Sequence, residues 1–287
     1  MVTISGKAAL AGVLGWPVSH SRSPLLHNYW FERYRLDGVY VPLAVKPADL
    51  TAVITALPRM GFRGCNVTLP HKEQMLQLVD DVDPLAAEIG AVNTVLVDED
   101  GGLRGLNTDG IGFLAHLSAT VPAWPDEVER VVLIGAGGAA RALAATFIAE
   151  GVTELAIVNR TVERARTLLD RLDHGQTRTK VIGWEGRDAA LDGAQLLINT
   201  SSLGMTGQPP LELSLEHLPA NAIVADIVYA PLMTALLETA GRRGHRTVEG
   251  LGMLLLQAVP GFAHWGGVTP TVDAATRDVV VAALNES

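Results

Sequence analysis

A chain of 287 residues, 48% of them hydrophobic and 18% charged, fits one large or two ordinary globular domains with a sizeable core, and excludes a disordered or fibrous protein. Its formal net charge of −9, with no basic run to offset it, argues against nucleic acid or an anionic membrane as a partner. The single cysteine, Cys65, excludes an internal disulfide and fits a reducing compartment; inside "FRGCNVT" it reads as a packed strand residue, not a nucleophile. The first ten residues lack a cationic and then apolar signal pattern, no apolar run reaches membrane-spanning length, and no metal-ligand cluster stands out, so a cytoplasmic protein is expected.

Along the first hundred residues, short apolar runs alternate with helical patterns, which predicts an α/β domain. Strands are expected near Ala11–Leu14, Val39–Val45 and Phe62–Thr68, and helices near Pro24–Arg35, Ala48–Leu57 and His71–Val79. Ser23 is expected to cap the first of these helices, with Pro24 at its first position. Asn93–Asp98 and Leu103–Leu106 flank the turn signal "EDGG" and predict a hairpin; a helix over Gly110–Leu117 then opens behind Asn107, Thr108 and Asp109. The two prolines and tryptophan of Val121–Glu127 mark a connection into a second α/β pattern.

That pattern opens with Val131-Val-Leu-Ile-Gly-Ala-Gly-Gly-Ala-Ala-Arg141, four aliphatic residues running into a glycine turn and an alanine-rich helix. Gly135, Gly137 and Ala140 fill the three places of a dinucleotide fingerprint, and Ala136, Gly138 and Ala139 complete a turn whose unpaired N–H groups face a diphosphate. The next strand, Leu155–Arg160, lies about twenty residues on, where the ribose of the adenosine half is read. An acidic residue there would accept the ribose hydroxyls of NAD; this chain instead has Asn159, Arg160, Thr161 and then Arg164, which favours NADP, because guanidinium matches phosphate with charge-assisted hydrogen bonds. Thr161 is placed to cap the helix near Val162–Leu172. Strands near Lys180–Ile182, Gln195–Asn199 and Ala222–Ile227 continue the pattern, the second ending in "TSSLGMTG", where Thr200, Ser201 and glycine let backbone approach a ligand. A helix near Leu232–Arg242 and final helices at Leu251–Val259 and Val272–Leu284 close the chain; a return of the last helix to the first domain makes that domain discontinuous.

Three constellations, "GWPVSHSRSPLLHN" (Gly15 to Asn28), "NVTLPHK" (Asn66 to Lys72) and "GLNTDG" (Gly105 to Gly110), together with "GAGGAAR", "NRTVERA" and "GLGMLLLQA", resemble the shikimate dehydrogenase family. The resemblance runs in order from about Gly15 to Gln257. It implies reversible NADP-linked reduction of 3-dehydroshikimate to shikimate in aromatic amino-acid biosynthesis. It also implies two domains, a Rossmann-type NADP-binding domain over 109–249 and a discontinuous α/β substrate domain over 1–108 and 250–287, with the active site in the cleft between them.

Reducing a ketone needs a proton on oxygen beside the hydride on carbon, and Lys72 and Asp109, carried over from matching family motifs, are expected to share that work. Asp109 would also accept from a substrate hydroxyl. The resemblance further assigns Ser21 and Ser23 to the substrate carboxylate, Tyr229 to closing that end, Thr68, Asn93 and Gln257 with Asp109 to the ring hydroxyls, and Ile227 and Gly250 to the nicotinamide. Two departures are modest: Ile227 stands where many relatives carry methionine, and His71 where others have an aromatic residue. The expected partner is the small-molecule substrate, with the chain a monomer or a homodimer. A quinate/shikimate dehydrogenase using NAD, a relative acting on an aminated shikimate, and a cofactor-binding regulator without catalysis are the competing readings; intact Lys72 and Asp109 argue against the last.

Overall fold

A computed structural model describes residues 4–19 and 21–285, and these divide into two compact units. The first takes the described residues up to Thr108 and from Gln257 onward; the second is Asp109–Leu256.

The first unit carries strands β1 (Ala9–Gly15), β2 (Gly38–Ala44), β3 (Phe62–Val67), β4 (Asp81–Val82), β5 (Thr94–Val97) and β6 (Leu103–Leu106) in one sheet of order β2-β1-β3-β5-β6-β4. β1, β2 and β3 run parallel; β5 turns antiparallel to β3 and forms the expected hairpin with β6. Helix Ser23–Arg33 starts one residue earlier than expected, so Ser23 is not its cap: Arg22 holds that position and makes no side-chain cap bond. Pro24 already removes one of the helix's orphan donors, and the Ser21 hydroxyl accepts from the Ser23 N–H at 3.3 Å. The helix expected over His71–Val79 is only Lys72–Met75: beyond it the backbone tightens into three-residue turns, Gln77 N–H donating to Gln74 O at 3.1 Å and Leu78 N–H to Met75 O at 3.0 Å, while the Lys72 carbonyl also accepts from Val92 N–H at 2.9 Å. Helix Pro84–Ile89, capped by the Asp83 side chain and closed by left-handed Gly90, is not expected from the sequence pattern.

Motif residues His27 and Asn28 have structural roles in this unit. Asn28 bridges to β2, its Nδ2 donating to Tyr40 O and its Oδ1 accepting from Tyr40 N, at 2.8 and 2.9 Å. His27 stacks on the Tyr40 ring at 4.1 Å and lies among Trp30, Phe262 and Trp265. Those last two rings come from helix Val259–Gly266, and Arg33 makes a two-pronged ion pair with Asp273 at 2.8 and 2.7 Å, so the returning C-terminal segment is fastened by both apolar and charged contacts. Burial pushes the His27 imidazole down from its ordinary 6.5 to about 3. Between those values the unfolded chain binds a proton that the folded chain refuses, so stability is full above about pH 6.5 and falls as pH drops toward 3. Urea denaturation is expected to show this loss at up to about 1.4 kcal/mol per pH unit, on top of other acid effects, and His27→Phe should flatten it by that amount. Equal slopes in the two proteins would contradict the assignment.

The second unit carries β7 (Arg130–Ile134), β8 (Glu154–Asn159), β9 (Arg178–Gly183), β10 (Leu196–Asn199), β11 (Ile223–Asp226) and β12 (Arg246–Val248). All six are parallel, in the order β12-β11-β10-β7-β8-β9. Numbered within the unit this is 6-5-4-1-2-3, the doubly wound order that binds dinucleotides where the winding reverses, here between β7 and β10. β7, β10 and β11 are buried almost throughout, as both-face-covered parallel strands must be, which is why they read as unbroken aliphatic runs. Helix Gly250–Leu256 packs on helix Asp109–Thr120, so the passage into the first unit falls at Gln257 and not at Gly250, where the sequence pattern puts it. Among the described residues, no helix is long and apolar enough to cross a membrane.

Candidate functional site

In the first unit, the loops leaving β1 and β3 run side by side. Thr68 N–H donates to Leu14 O at 2.9 Å and Trp16 N–H to Leu69 O at 3.0 Å. This places the Ser21 and Ser23 segment on the same end of the sheet as Thr68 and Lys72. All four side chains are half-buried. Lys72 opens its short helix behind His71, whose ring Nε2 lies 2.8 Å from Val45 O and whose N–H donates to Thr68 O at 3.0 Å; the start of the lysine side chain is therefore fixed on both sides. His71 is fully buried, so its departure from an aromatic residue is absorbed in the core.

Asn93, only 2% exposed, anchors the other half of this unit's expected site residues. Its Oδ1 accepts from Thr108 N–H at 2.9 Å, and its Nδ2 donates to Thr108 Oγ1 at 3.1 Å and to Gln257 Oε1 at 3.5 Å. Thr108 Oγ1 also donates to Gln257 O at 2.8 Å. Behind Asn93 runs a buried chain of donors: Tyr40 Oη to Asn66 Oδ1 at 2.7 Å, Asn66 Nδ2 to Thr94 Oγ1 at 3.0 Å, and Thr94 Oγ1 to Asn93 Oδ1 at 3.0 Å. The Tyr40 hydroxyl also neighbours Ser23, and burial holds it well above the ordinary phenol range. Thus one hydrogen-bonded chain runs from Tyr40, which neighbours Ser23, to the residues expected at the ring hydroxyls. Asn66, Thr94 and Thr108 are not singled out by the sequence, although Asn66 heads "NVTLPHK" and Thr108 lies inside "GLNTDG".

Cys65, beside Asn66 on β3, is fully buried and its thiol is pushed up to about 12, as a packed and inert residue should be.

In the second unit the glycine turn has the expected form. Gly135 follows β7 with φ of 110°, a left-handed conformation open to glycine, and a side chain there would press on Thr200 Oγ1 and on the Ser201 backbone at 3.2 Å. Thr200 is locked in turn, its N–H and Oγ1 both donating to Ile134 O at 2.9 and 2.8 Å. Gly137 caps helix Gly138–Ala149, and a side chain on Gly137 or Gly138 would meet nothing, so the helix N-terminus with Ala136 and Ala139 stands open to a diphosphate. At the end of β8 the Asn159 side chain holds Thr161 O at 2.8 Å, and Arg160 and Arg164 are both exposed on the turn that opens helix Val162–Leu169. Thr161 does hold the N-cap position, but its side chain makes no cap bond. No acidic side chain ends β8. Gly250 packs directly on the Ile227–Val228 backbone, bringing together the two residues expected at the nicotinamide. Tyr229, half-buried, follows two residues after Ile227. Asp109 begins helix Asp109–Thr120 and is 9% exposed; it falls in the second unit, Lys72 in the first.

Known proteins are similar to this one over nearly the whole chain. Residues 13–95 match the family described as "Shikimate dehydrogenase substrate binding domain", and residues 125–202 the family described as "Shikimate / quinate 5-dehydrogenase". The shikimate dehydrogenase (NADP(+)) of Paramagnetospirillum magneticum is 54% identical, covering 97% of this chain and 100% of its own. The solved shikimate 5-dehydrogenase of Thermus thermophilus, in complex with NADP(H) and shikimate, is 35% identical with a TM-score of 0.82, over 96% of this chain and 99% of its own. A quinate dehydrogenase from Corynebacterium glutamicum in complex with NAD is 30% identical with a TM-score of 0.89, over 96% and 99%. Sequence motifs, fold order and relatives converge: the chain belongs to the shikimate dehydrogenase family.

Proposed function

We propose that this protein catalyses the reversible, NADP-linked interconversion of 3-dehydroshikimate and shikimate, the activity for which its relative of 54% identity is named, and so serves aromatic amino-acid biosynthesis. The observation that carries the choice within the family is the end of β8. Similar overall shape does not separate shikimate from quinate enzymes, because a quinate dehydrogenase bound to NAD is as similar in fold as the shikimate enzymes are. Arg160 and Arg164 suit a 2′-phosphate and not a bare ribose, since no carboxylate ends the strand itself and the neighbouring Glu163 is paired with Arg166.

The cofactor, when bound, exchanges a hydride with the substrate carbon. The open helix start at Gly137 and Gly138 and the close-packed Gly135 suit its diphosphate, and Thr200, Ser201, Ile227 and Gly250 suit its nicotinamide end. Lys72 and Asp109 pass the proton to and from the substrate oxygen as a pair, with Asp109 also accepting from a neighbouring hydroxyl. Asn93, Thr68 and Gln257 read the remaining hydroxyls, and Ser21 and Ser23 donate to the carboxylate, closed by Tyr229. The buried chain from Tyr40 to Gln257 supports this division of labour by fixing the amides before substrate arrives. The partner is a small molecule; the chain acts alone or as a homodimer in the cytoplasm. Formation of NADPH from shikimate by the purified protein is the direct test, and no turnover under any cofactor would overturn the reading.

Ser21 carries a separate expectation. Its oxygen accepts from the Ser23 N–H, which leaves its own hydroxyl proton to be given away. Ser21→Ala and Ser23→Ala should each raise KM for shikimate roughly tenfold, the effect of about 1–3 kcal/mol for an unpaired buried oxygen, with a smaller change in kcat. Wild-type kinetics in both variants would place the carboxylate elsewhere.

A further inference from the structure

β10 and β11 end together, Asn199 opposite Asp226, and both side chains are buried, at 0% and 1% exposure. The Asp226 carboxylate receives three neutral donors: Asn199 Nδ2 at 2.9 Å and Val228 N–H at 3.0 Å on one oxygen, and Thr234 Oγ1 at 2.8 Å on the other. Asn199 reaches in the opposite direction, its Nδ2 also donating to Leu203 O at 3.0 Å and its Oδ1 accepting from Ser201 N–H and Oγ at 3.1 and 2.7 Å. Two backbone bonds repeat the link, Ile227 N–H to Asn199 O at 3.0 Å and Thr206 N–H to Ala230 O at 2.7 Å. The loops after β10 and after β11 are thus tied to one buried pair. Burial pushes the Asp226 carboxyl up from 3.8 to about 6 even with three donors on it, so the group is held there against its own solvation. A packed aliphatic side chain would close the sheet end at less cost, but it could not aim two loops.

We propose that Asp226, with Asn199 and Thr234, is a positioning residue of the reaction: it fixes the loop bearing Thr200 and Ser201 against the loop bearing Ile227 and Tyr229, and so sets where the nicotinamide meets the substrate. This rests on the placement of those four residues at the nicotinamide and substrate under the proposed function. Asp226 touches neither reactant. Its effect on the rate comes through loop placement, and displacement of reacting atoms by about an ångström can cost roughly a hundredfold.

The amide of Asp226→Asn can still accept from Asn199 and Val228 through its oxygen, and its NH2 can donate to Thr234 Oγ1, whereas Asp226→Ala strands all three partners. Asp226→Ala is therefore expected to lower kcat for shikimate oxidation about a hundredfold, and Asp226→Asn to restore it to within about fivefold of wild type. Thr234→Val removes a single hydroxyl and should lower kcat about tenfold, with Thr234→Ser recovering most of it; this pair keeps the proposal testable if Asp226→Ala does not fold. Binding of 2′,5′-ADP, which samples only the adenosine end at Arg160 and Arg164, should stay within about twofold in every folded variant. A wild-type kcat in Thr234→Val, with or without a lower Tm, would reduce the cluster to a structural role and overturn the proposal. So would a parallel loss of kcat and 2′,5′-ADP affinity, which would mean a disturbed unit instead of misplaced loops. The wild-type arm of the same assay separates this from the reading beneath it: inactivity of the unaltered protein with shikimate and NADP defeats the proposed function, while activity there with unaffected variants defeats only Asp226.

Discussion

Lys72→Met is expected to lower kcat for shikimate oxidation by about a hundredfold or more, the scale on which a general acid–base group contributes. Methionine keeps the length and much of the volume of the lysine stem and removes only the amine. The helix that Lys72 opens is held from outside, by Val92 on its carbonyl and by His71 wedged against Val45, so the backbone has little reason to move. KM for shikimate should therefore change much less than kcat, and Tm should stay near the wild-type value because the side chain is only half-buried. Near-normal turnover would remove Lys72 from the proton path and leave Asp109 to act without it.

The second large effect is on cofactor choice. Arg160 and Arg164 are exposed, sit one on each side of the Thr161 cap, and have no carboxylate at the strand end to occupy them. Replacing both by alanine removes the charge-assisted hydrogen bonds proposed to the 2′-phosphate, worth about 1.5–3 kcal/mol each, so Kd for NADP should rise by at least about a hundredfold. NAD binding should move by less than about threefold, since NAD lacks the phosphate that they are proposed to clamp. Fluorescence titration of both cofactors checks this. Equal losses for NADP and NAD would show that the arginines hold the turn or the diphosphate instead.

The second unit is the more legible half of the chain, for a physical reason. A parallel sheet covered on both faces demands unbroken aliphatic strands, and the turn after β7 demands glycine at Gly135, so Val131–Ile134 announces both its own burial and its ligand. β12 escapes notice because it is three residues long, and Asp226 because its meaning lies in Asn199 and Thr234, each brought to it by the fold. The first unit hides more. Gly64 inside "FRGCNVT" reads as an ordinary weak point in a strand, yet its φ is 143°, and a side chain there would strike Val95 O and the Trp265 indole, a ring from the far end of the chain. Nothing local to residue 64 reports Trp265. The short helix at Lys72 also departs from the local pattern, which promises two turns: Gln77 and Leu78 N–H fall back on Gln74 O and Met75 O, and the distant Val92 N–H shares the Lys72 carbonyl. Candidate site residues come from motifs because a motif spans its loop; the chain from Tyr40 through Asn66 and Thr94 is not legible in this way, because it links three strands.

Under the proposed function, Arg160 and Arg164 read the cofactor phosphate and Ser21, Ser23 and Tyr229 take the substrate carboxylate, and these roles set which reaction the protein prefers. Quinate carries an added hydroxyl on the ring carbon that bears the carboxylate, and that hydroxyl needs room and a partner where the serine hydroxyls are already engaged. A site with mere space rejects an added hydroxyl weakly, by about a hundredfold at most, so the cofactor preference and the substrate preference must be read together. The decisive measurement is kcat/KM for shikimate and for quinate, each with NADP and with NAD, on the purified protein. Shikimate with NADP should exceed each of the other three combinations by at least about tenfold, the step that about 1.4 kcal/mol of discrimination provides. Comparable efficiency with quinate and NAD would contradict the account and make the protein a quinate/shikimate dehydrogenase using NAD.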